Sequence, residues 1–296
     1  MVEEIELAAE NTEAPEGSSE GWLLSVRNLT KTYGEPDSKS IERTGPEFGS
    51  NICPKTGAVV ALANIGFDLY PGEVLGLVGE SGSGKSTLVQ LLYYDSEPTS
   101  GHAWFREIDG GRTDLFTLSS QRKRFVRNRL LGMVYQNPRD GLNFGYSSGG
   151  NIGEKLIMAG EMNVGNIRSR ASALLEQTEV PVKRMDERPS SFSGGMQQRV
   201  QISKAIANNP PLVFLDEVTS GLDVSVQARV LDLIRQLQHE LGVSMIVVSH
   251  DLGVIRMLTD RTLVLKNGRI VEHGLTDQIL QDPQHAYTQL LVSSLL

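Results

Sequence analysis

The chain has 296 residues, with 36 Asp and Glu against 28 Lys and Arg and a formal net charge of −8, a balance that gives no general reason to expect nucleic-acid or lipid partners. Its length suits one large domain or two small ones with a full core. The single cysteine, Cys53, excludes an internal disulfide and fits a reducing compartment, and no apolar run nears the ~20 residues that span a bilayer, so a cytoplasmic protein is expected, with any membrane role left to a separate partner.

In chain order, residues 1–21 are rich in Glu, Ala, Ser and Gly and predict a disordered acidic tail, without the basic-then-apolar pattern of a signal peptide. Residues 23–29 alternate like a strand, and Tyr33 follows. Residues 34–58 read as an inserted loop without periodicity. The strand pattern resumes over 59–69, Pro71-Gly72 makes a turn, and the apolar run Val74-Leu75-Gly76-Leu77-Val78 reads as a buried strand.

That run enters Gly79-Glu80-Ser81-Gly82-Ser83-Gly84-Lys85-Ser86-Thr87, which fits the phosphate-loop pattern, and a helix-like 86–92 leads out. Glycines let successive backbone N–H groups converge on an anion, and the helix N-terminus adds its dipole. Lys85 supplies a point charge for the outer phosphates, and the Ser86 hydroxyl suits Mg²⁺. A plain Gly-rich turn would not demand Lys-Ser at this spacing.

Further along, Arg122-Lys123-Arg124 with Arg127 and Arg129 lacks interleaved aromatics and reads as a solvated helix face, so no nucleic-acid partner is expected. An apolar stretch, 130–135, ends at Gln136. Residues from about 138 to 207 are helix-rich and predict a smaller helical lobe, with Ser193-Gly194-Gly195 opening another helix. Residues 212–217 form an apolar strand ending in Asp216 and Glu217, and Asp223 follows. Val226, Val230, Ile234, Leu237 and Leu241 make one helix face, stopped by Gly242. A second buried strand, 244–249, ends at His250, and Asn267-Gly268 signals a hairpin. A carboxylate pair closing an otherwise apolar strand beside a phosphate loop favours catalysis over a merely solvated strand end. The same placement favours a functional His250. Cys53-Pro54-Lys55-Thr56-Gly57 resembles half of a metal knuckle, but one cysteine cannot complete a tetrahedral site, so no zinc is expected. No internal repeat is present.

With these elements in this order, the chain resembles the ATP-binding cassette (ABC) family, and Ser193-Gly194-Gly195 separates that family from other phosphate-loop enzymes. The resemblance implies an α/β fold: a phosphate-loop (RecA-like) nucleotide-binding domain over 22–275, with an antiparallel β subdomain, an α-helical subdomain and a C-terminal helical tail over 276–296. It implies Mg-dependent ATP hydrolysis, with Tyr33 against adenine and residues 79–87 around the phosphates. Ser86 and Gln136 would ligate Mg²⁺ directly and Asp216 through water. Glu217 would orient the attacking water, and His250 would read the γ-phosphate. Ser193, Gly194 and Gly195 would cap the nucleotide of a facing copy in a head-to-tail dimer, with Asp223 communicating across the seam. Two residues depart from the family pattern: Val218 stands where Pro usually follows the Glu, and Met196 replaces the commoner Gln.

Gly149-Gly150-Asn151-Ile152-Gly153-Glu154, the Phe192–Arg199 stretch and the tail from Tyr287 look like the branch serving the bacterial carbon–phosphorus lyase system. This implies docking on the lyase core subunits during phosphonate breakdown. The second resemblance is to ATPases of dipeptide, oligopeptide or nickel importers, which pair with membrane permease subunits and whose tails carry an Asp-Pro-x-His-x-Tyr-Thr motif like residues 282–288. Those importer chains commonly continue into a cysteine-containing extension, whereas this sequence stops at Leu296. Docking is expected in the helical lobe around residues 139–154, where Phe144 and Tyr146 sit among small residues of a mobile loop; the alternative is that both rings tuck into the lobe's own core.

Overall fold

The computed structural model describes residues 21–293. The acidic tail expected over 1–21 lies, but for Gly21, outside them, as do the last three residues of the expected C-terminal tail.

The elements run β1 (Leu24–Tyr33), β2 (Val59–Leu69), β3 (Val74–Val78), α1 (Lys85–Leu92), β4 (Ser100–Phe105), α2 (Ser120–Phe125), β5 (Leu131–Val134), α3 (Pro138–Gly141), α4 (Ser148–Met158), α5 (Val164–Gln177) and α6 (Gly194–Ala205). They continue with β6 (Leu212–Asp216), α7 (Val224–Leu241), β7 (Ser244–Val248), α8 (Leu252–Leu258), β8 (Arg261–Lys266), β9 (Arg269–Leu275), α9 (Thr276–Gln281) and α10 (Ala286–Ser293). Among the described residues they build a three-stranded antiparallel sheet, β2-β1-β4, and a six-stranded sheet ordered β5-β6-β7-β3-β8-β9. The larger sheet is parallel except for β9.

Strands β3, β6 and β7 are buried along their whole length. Both sheet faces are covered, which is why these segments read as near-continuous apolar runs and not as alternation. One face packs on α7, α8 and the helical lobe through residues such as Leu174, Val200, Ile234 and Ile255. The other packs on α1 and the small sheet through Leu88, Leu91, Leu62 and Phe105. The carboxyl ends of β3, β5, β6 and β7 therefore emerge together at one sheet edge, where open α/β sheets hold their ligands.

Several boundaries differ from expectation. β1 continues through Tyr33 instead of ending at residue 29. Asn28 adopts φ 52° and the register with β2 shifts between Val26 and Lys31, so a bulge breaks the alternation that the sequence pattern depends on. Residues 34–58 are fastened and not loose. Arg269 Nη2 donates to the carbonyls of Ile41 at 2.9 Å and Thr44 at 3.3 Å, Arg43 pairs with Asp37 at 3.0 Å, and Cys53 is buried. On α7 the expected face is wider: Leu231 and Leu233 are buried, while Leu241 is half-exposed at the end, just before Gly242 caps the helix with φ 61°. Asn267 and Gly268 both have positive φ, as the hairpin turn requires.

Gly149 and Gly150, expected in a mobile loop, belong to the first turn of α4. Ser147 Oγ accepts the Gly150 N–H at 3.0 Å as the cap. Buried Asn151 then pins the preceding loop, accepting from Asn143 N at 2.7 Å and donating to the carbonyls of Asn143 and Ser147. Phe144 packs against the core, whereas Tyr146 stays 49% exposed. The basic segment is largely paired: Arg122 with Asp109, Arg127 with Asp95 and Lys123 with Glu97.

Candidate active site

The loop from β3 to α1 is shaped by glycine. Gly79 has φ 148°, and a Cβ there would sit 2.1 Å from the Leu265 carbonyl oxygen; at Gly84, with φ 107°, it would sit 2.4 Å from that of Ala61. Any side chain at either position would break this close approach. The loop delivers Lys85, only 5% exposed, whose Nζ donates to the carbonyls of Gly79 at 2.8 Å and Glu80 at 2.9 Å. Burial pushes Lys85 below the usual amine range, against the pull of Glu217, Asp216 and Glu80. A phosphate oxygen would be a better acceptor than two neutral carbonyls, because charge-assisted bonds are the stronger ones.

From the end of β6, buried Asp216 accepts the Ser86 hydroxyl at 3.0 Å. Burial raises its carboxyl above the usual range; Glu217 adds to this, while the Ser86 bond and Lys85 oppose it. Glu217 follows with φ 46° and is held on both sides. Gln136 Nε2, from the end of β5, donates to Glu217 Oε2 at 2.9 Å, and His250 Nδ1, from the end of β7, lies 3.3 Å from the same oxygen. Gln136 Nε2 also reaches Ser220 Oγ at 3.4 Å. The Ser86 hydroxyl, the Gln136 amide and the Asp216 carboxylate form an all-oxygen donor set that fits a hard divalent cation.

A cavity of about 390 Å³ gathers many of the sequence-predicted residues: Tyr33, Ser81, Gly82, Gly84, Lys85, Ser86, Thr87, Gln136 and Glu217 line it. Tyr33 closes one side with its ring 43% exposed and Lys31 Nζ 4.9 Å from its centroid. Gly79, Glu80, Ser83 and Asp216 are not in its wall. His250 lines an adjoining cavity of about 170 Å³ that shares Glu217. Ser193, Gly194, Gly195 and Asp223 line neither. Ser193 caps α6 by accepting from Met196 N at 3.4 Å, and Ser193, Gly194 and Asp223 are all exposed.

Two contacts escape sequence reasoning. Asn51, from the insert, lines the larger cavity and its Nδ2 lies 3.4 Å from the Gly82 carbonyl; an irregular segment carries no periodic signal that could mark it. Tyr287, from the tail motif, accepts the backbone N–H of Glu80 at 2.9 Å. The motif was visible in the sequence, but its contact with a loop some two hundred residues away was not.

A phosphate loop after β3 and a carboxylate pair closing β6, two strands along the same parallel sheet, with a second glycine-rich helix start outside both cavities, define a cassette ATPase. The ABC transporter family model matches residues 62–220, and the chain belongs to that family, whose members bind and hydrolyse ATP. It is 47% identical over 274 residues to the protein named for phosphonates utilization, ATP-binding protein PhnK of Escherichia coli (strain K12), covering 93% of this chain and 98% of that one. The peptidoglycan transport ATP-binding protein YejF of Agrobacterium fabrum is 41% identical over 92% of this chain, but the match spans 47% of YejF. The oligopeptide transport ATP-binding protein OppD of Bacillus subtilis is 40% identical over 81% of this chain and 67% of its own length. Among solved structures, the ATP-binding cassette MJ0796 in a dimeric post-hydrolysis state bound to ADP and Pi superposes with a TM-score of 0.71 at 28% identity, covering 86% of this chain and 98% of the cassette.

Proposed function

We propose that this chain is the ATP-hydrolysing subunit of a phosphonate-breakdown system, working in the cytoplasm by docking on carbon–phosphorus lyase core subunits. The observation that carries the proposal is the match to PhnK, at 47% identity over 93% of this chain and 98% of that one, against transport relatives at 40–41%. Among the described residues no helix is long and apolar enough to cross a membrane.

In this reading Tyr33 stacks on adenine, the amides of residues 79–87 and Lys85 hold the phosphates, and Ser193-Gly194-Gly195 of a second copy caps the γ-phosphate, with Asp223 beside the seam. Ser86 and Gln136 would hold Mg²⁺ directly and Asp216 through water. Bound there, Mg²⁺ would neutralise charge on the β- and γ-phosphates. Glu217, braced between Gln136 and His250, orients the attacking water, and His250 answers to the γ-phosphate beside it. Hydrolysis removes the group that holds the two copies together, so the dimer opens.

The tail motif over 282–288 and the OppD match favour a second reading, the ATPase of a peptide importer. Affinity capture of the Glu217→Gln chain from its native cells under ATP separates the two. Lyase-core subunits are expected in the eluate; permease subunits in their place would overturn the phosphonate assignment.

A further inference from the structure

The tail motif has a physical destination. Glu272 on β9 accepts two tail N–H groups, Gln284 N at 2.7 Å and His285 N at 3.0 Å, and His285 Nδ1 accepts Tyr287 N at 3.1 Å. These bonds start α10 in a fixed place. Tyr287 is 4% exposed, its ring lies 4.5 Å from Lys266 Nζ, and its hydroxyl accepts the Glu80 N–H. Burial raises the phenol above its usual range, so the hydroxyl stays protonated and neutral.

The bond falls on one particular peptide. The unit joining Gly79 to Glu80 presents its carbonyl to Lys85 Nζ at 2.8 Å and its N–H to Tyr287 at 2.9 Å. Gly79, with φ 148°, has no Cβ to hinder rotation of that unit. The two bonds fix its plane from opposite sides, and with it the carbonyl that parks Lys85. We propose that Tyr287 is a positioning residue for the phosphate loop: the C-terminal tail, anchored through Glu272, latches the Gly79–Glu80 peptide in the orientation that lets the loop and Lys85 receive nucleotide. The inference rests on nucleotide binding at this loop. It also makes the tail a lever, since anything that lifts α10 loosens the nucleotide site from outside.

The test uses the full chain and ADP as the probe, followed by isothermal titration, with wild-type binding as the check on the nucleotide site itself. Tyr287→Phe keeps the ring beneath Lys266 and removes the acceptor. The dissociation constant for ADP is expected to rise roughly 3- to 10-fold. KM for ATP should rise by a similar factor while kcat stays within about twofold, the pattern of lost binding without lost transition-state contacts. Hydrogen exchange over residues 76–84 should quicken in the variant without a global change. Glu272→Ala, which frees the tail far from the phosphates, should weaken ADP binding in the same direction. The double variant should bind no worse than the weaker single one, because both cut the same latch. Unchanged ADP affinity in Tyr287→Phe overturns the proposal. So do additive effects of the two substitutions, or a large loss of melting temperature with affinity per folded molecule unchanged, which would make Tyr287 a packing residue only.

Discussion

At the scale of single residues, the active site is a set of groups held away from their comfortable states. Glu217 adopts φ 46° and donates its N–H to the Val248 carbonyl at 3.0 Å. Val218, where the family pattern has Pro, is buried in the core beside it. A second displaced group lies outside the site. Lys155 is 6% exposed, and its Nζ donates to Tyr93 Oη at 3.2 Å and the Arg127 carbonyl at 2.7 Å, with no carboxylate on it. Burial, reinforced by Arg127 and Lys204 and opposed by Glu154, lowers its pKa to about 7 from an ordinary 10.5. Between those two values the unfolded chain binds more protons than the folded one, so this group makes stability rise with pH across that window. Below pH 7 both states are charged and the penalty of burying the cation is complete. Lys155→Met is therefore expected to flatten the rise of urea-unfolding free energy between about pH 7 and 9 and to have its greatest advantage at the acid end. Parallel wild-type and variant slopes would show that Lys155 titrates as in water.

At the scale of elements, the helical lobe's leading loop divides its two aromatics between two tasks. Phe144 packs into the core under Arg139, whose guanidinium carbon lies 5.0 Å from the ring centroid, while Tyr146 faces solvent. Phe144→Ala is expected to cost about 1–3 kcal/mol, below the full value for a buried Phe because the ring is only partly covered. Tyr146→Ala should leave the unfolding midpoint unchanged and weaken capture of the partner complex. If Phe144→Ala is neutral in a denaturant titration, the packing is not holding the loop. Sequence patterning could not make this division, because both rings fall in a short irregular stretch and the pinning residue, Asn151, acts through three polar bonds and not through periodicity. The buried strands were legible for the opposite reason: a strand covered on both faces reads as a near-continuous apolar run, as β3, β6 up to Asp216 and β7 after Ser244 do. The phosphate loop was legible because close backbone approach admits only glycine at Gly79 and Gly84. The end of β1, the fastening of the insert and the reach of Asn51 depend on a bulge and on side-chain-to-carbonyl bonds, which leave no repeating mark.

At the scale of the whole molecule, the groups implied by the family resemblance fall on two surfaces. The phosphate loop, Gln136, Asp216, Glu217 and His250 converge at the carboxyl ends of the parallel strands, while Ser193 and Gly194 cap α6 in the open and line neither cavity there. A helix start with free Gly amides and a serine hydroxyl is itself an anion site, and a second copy turned head to tail would bring it to the first copy's γ-phosphate. The MJ0796 cassette, similar in fold, has been solved as a dimer. In the proposed arrangement one chain would bind nucleotide and two would enclose it. Glu217→Gln keeps the shape and the neighbouring donors and removes the carboxylate proposed to orient water, so hydrolysis should fall on the order of 10²–10⁴-fold with ATP still bound. Dimers should then accumulate on a sizing column when ATP is added. Adding Ser193→Arg to that chain places a long cation at the seam while leaving its own phosphate loop intact. The ATP-induced dimer should be lost, and the affinity of the single chain for ADP should stay within about twofold, because in the proposed dimer the substituted group would touch only the partner's nucleotide. A dimer that survives Ser193→Arg, or ADP affinity that falls with it, would place the Ser-Gly-Gly turn outside a shared site.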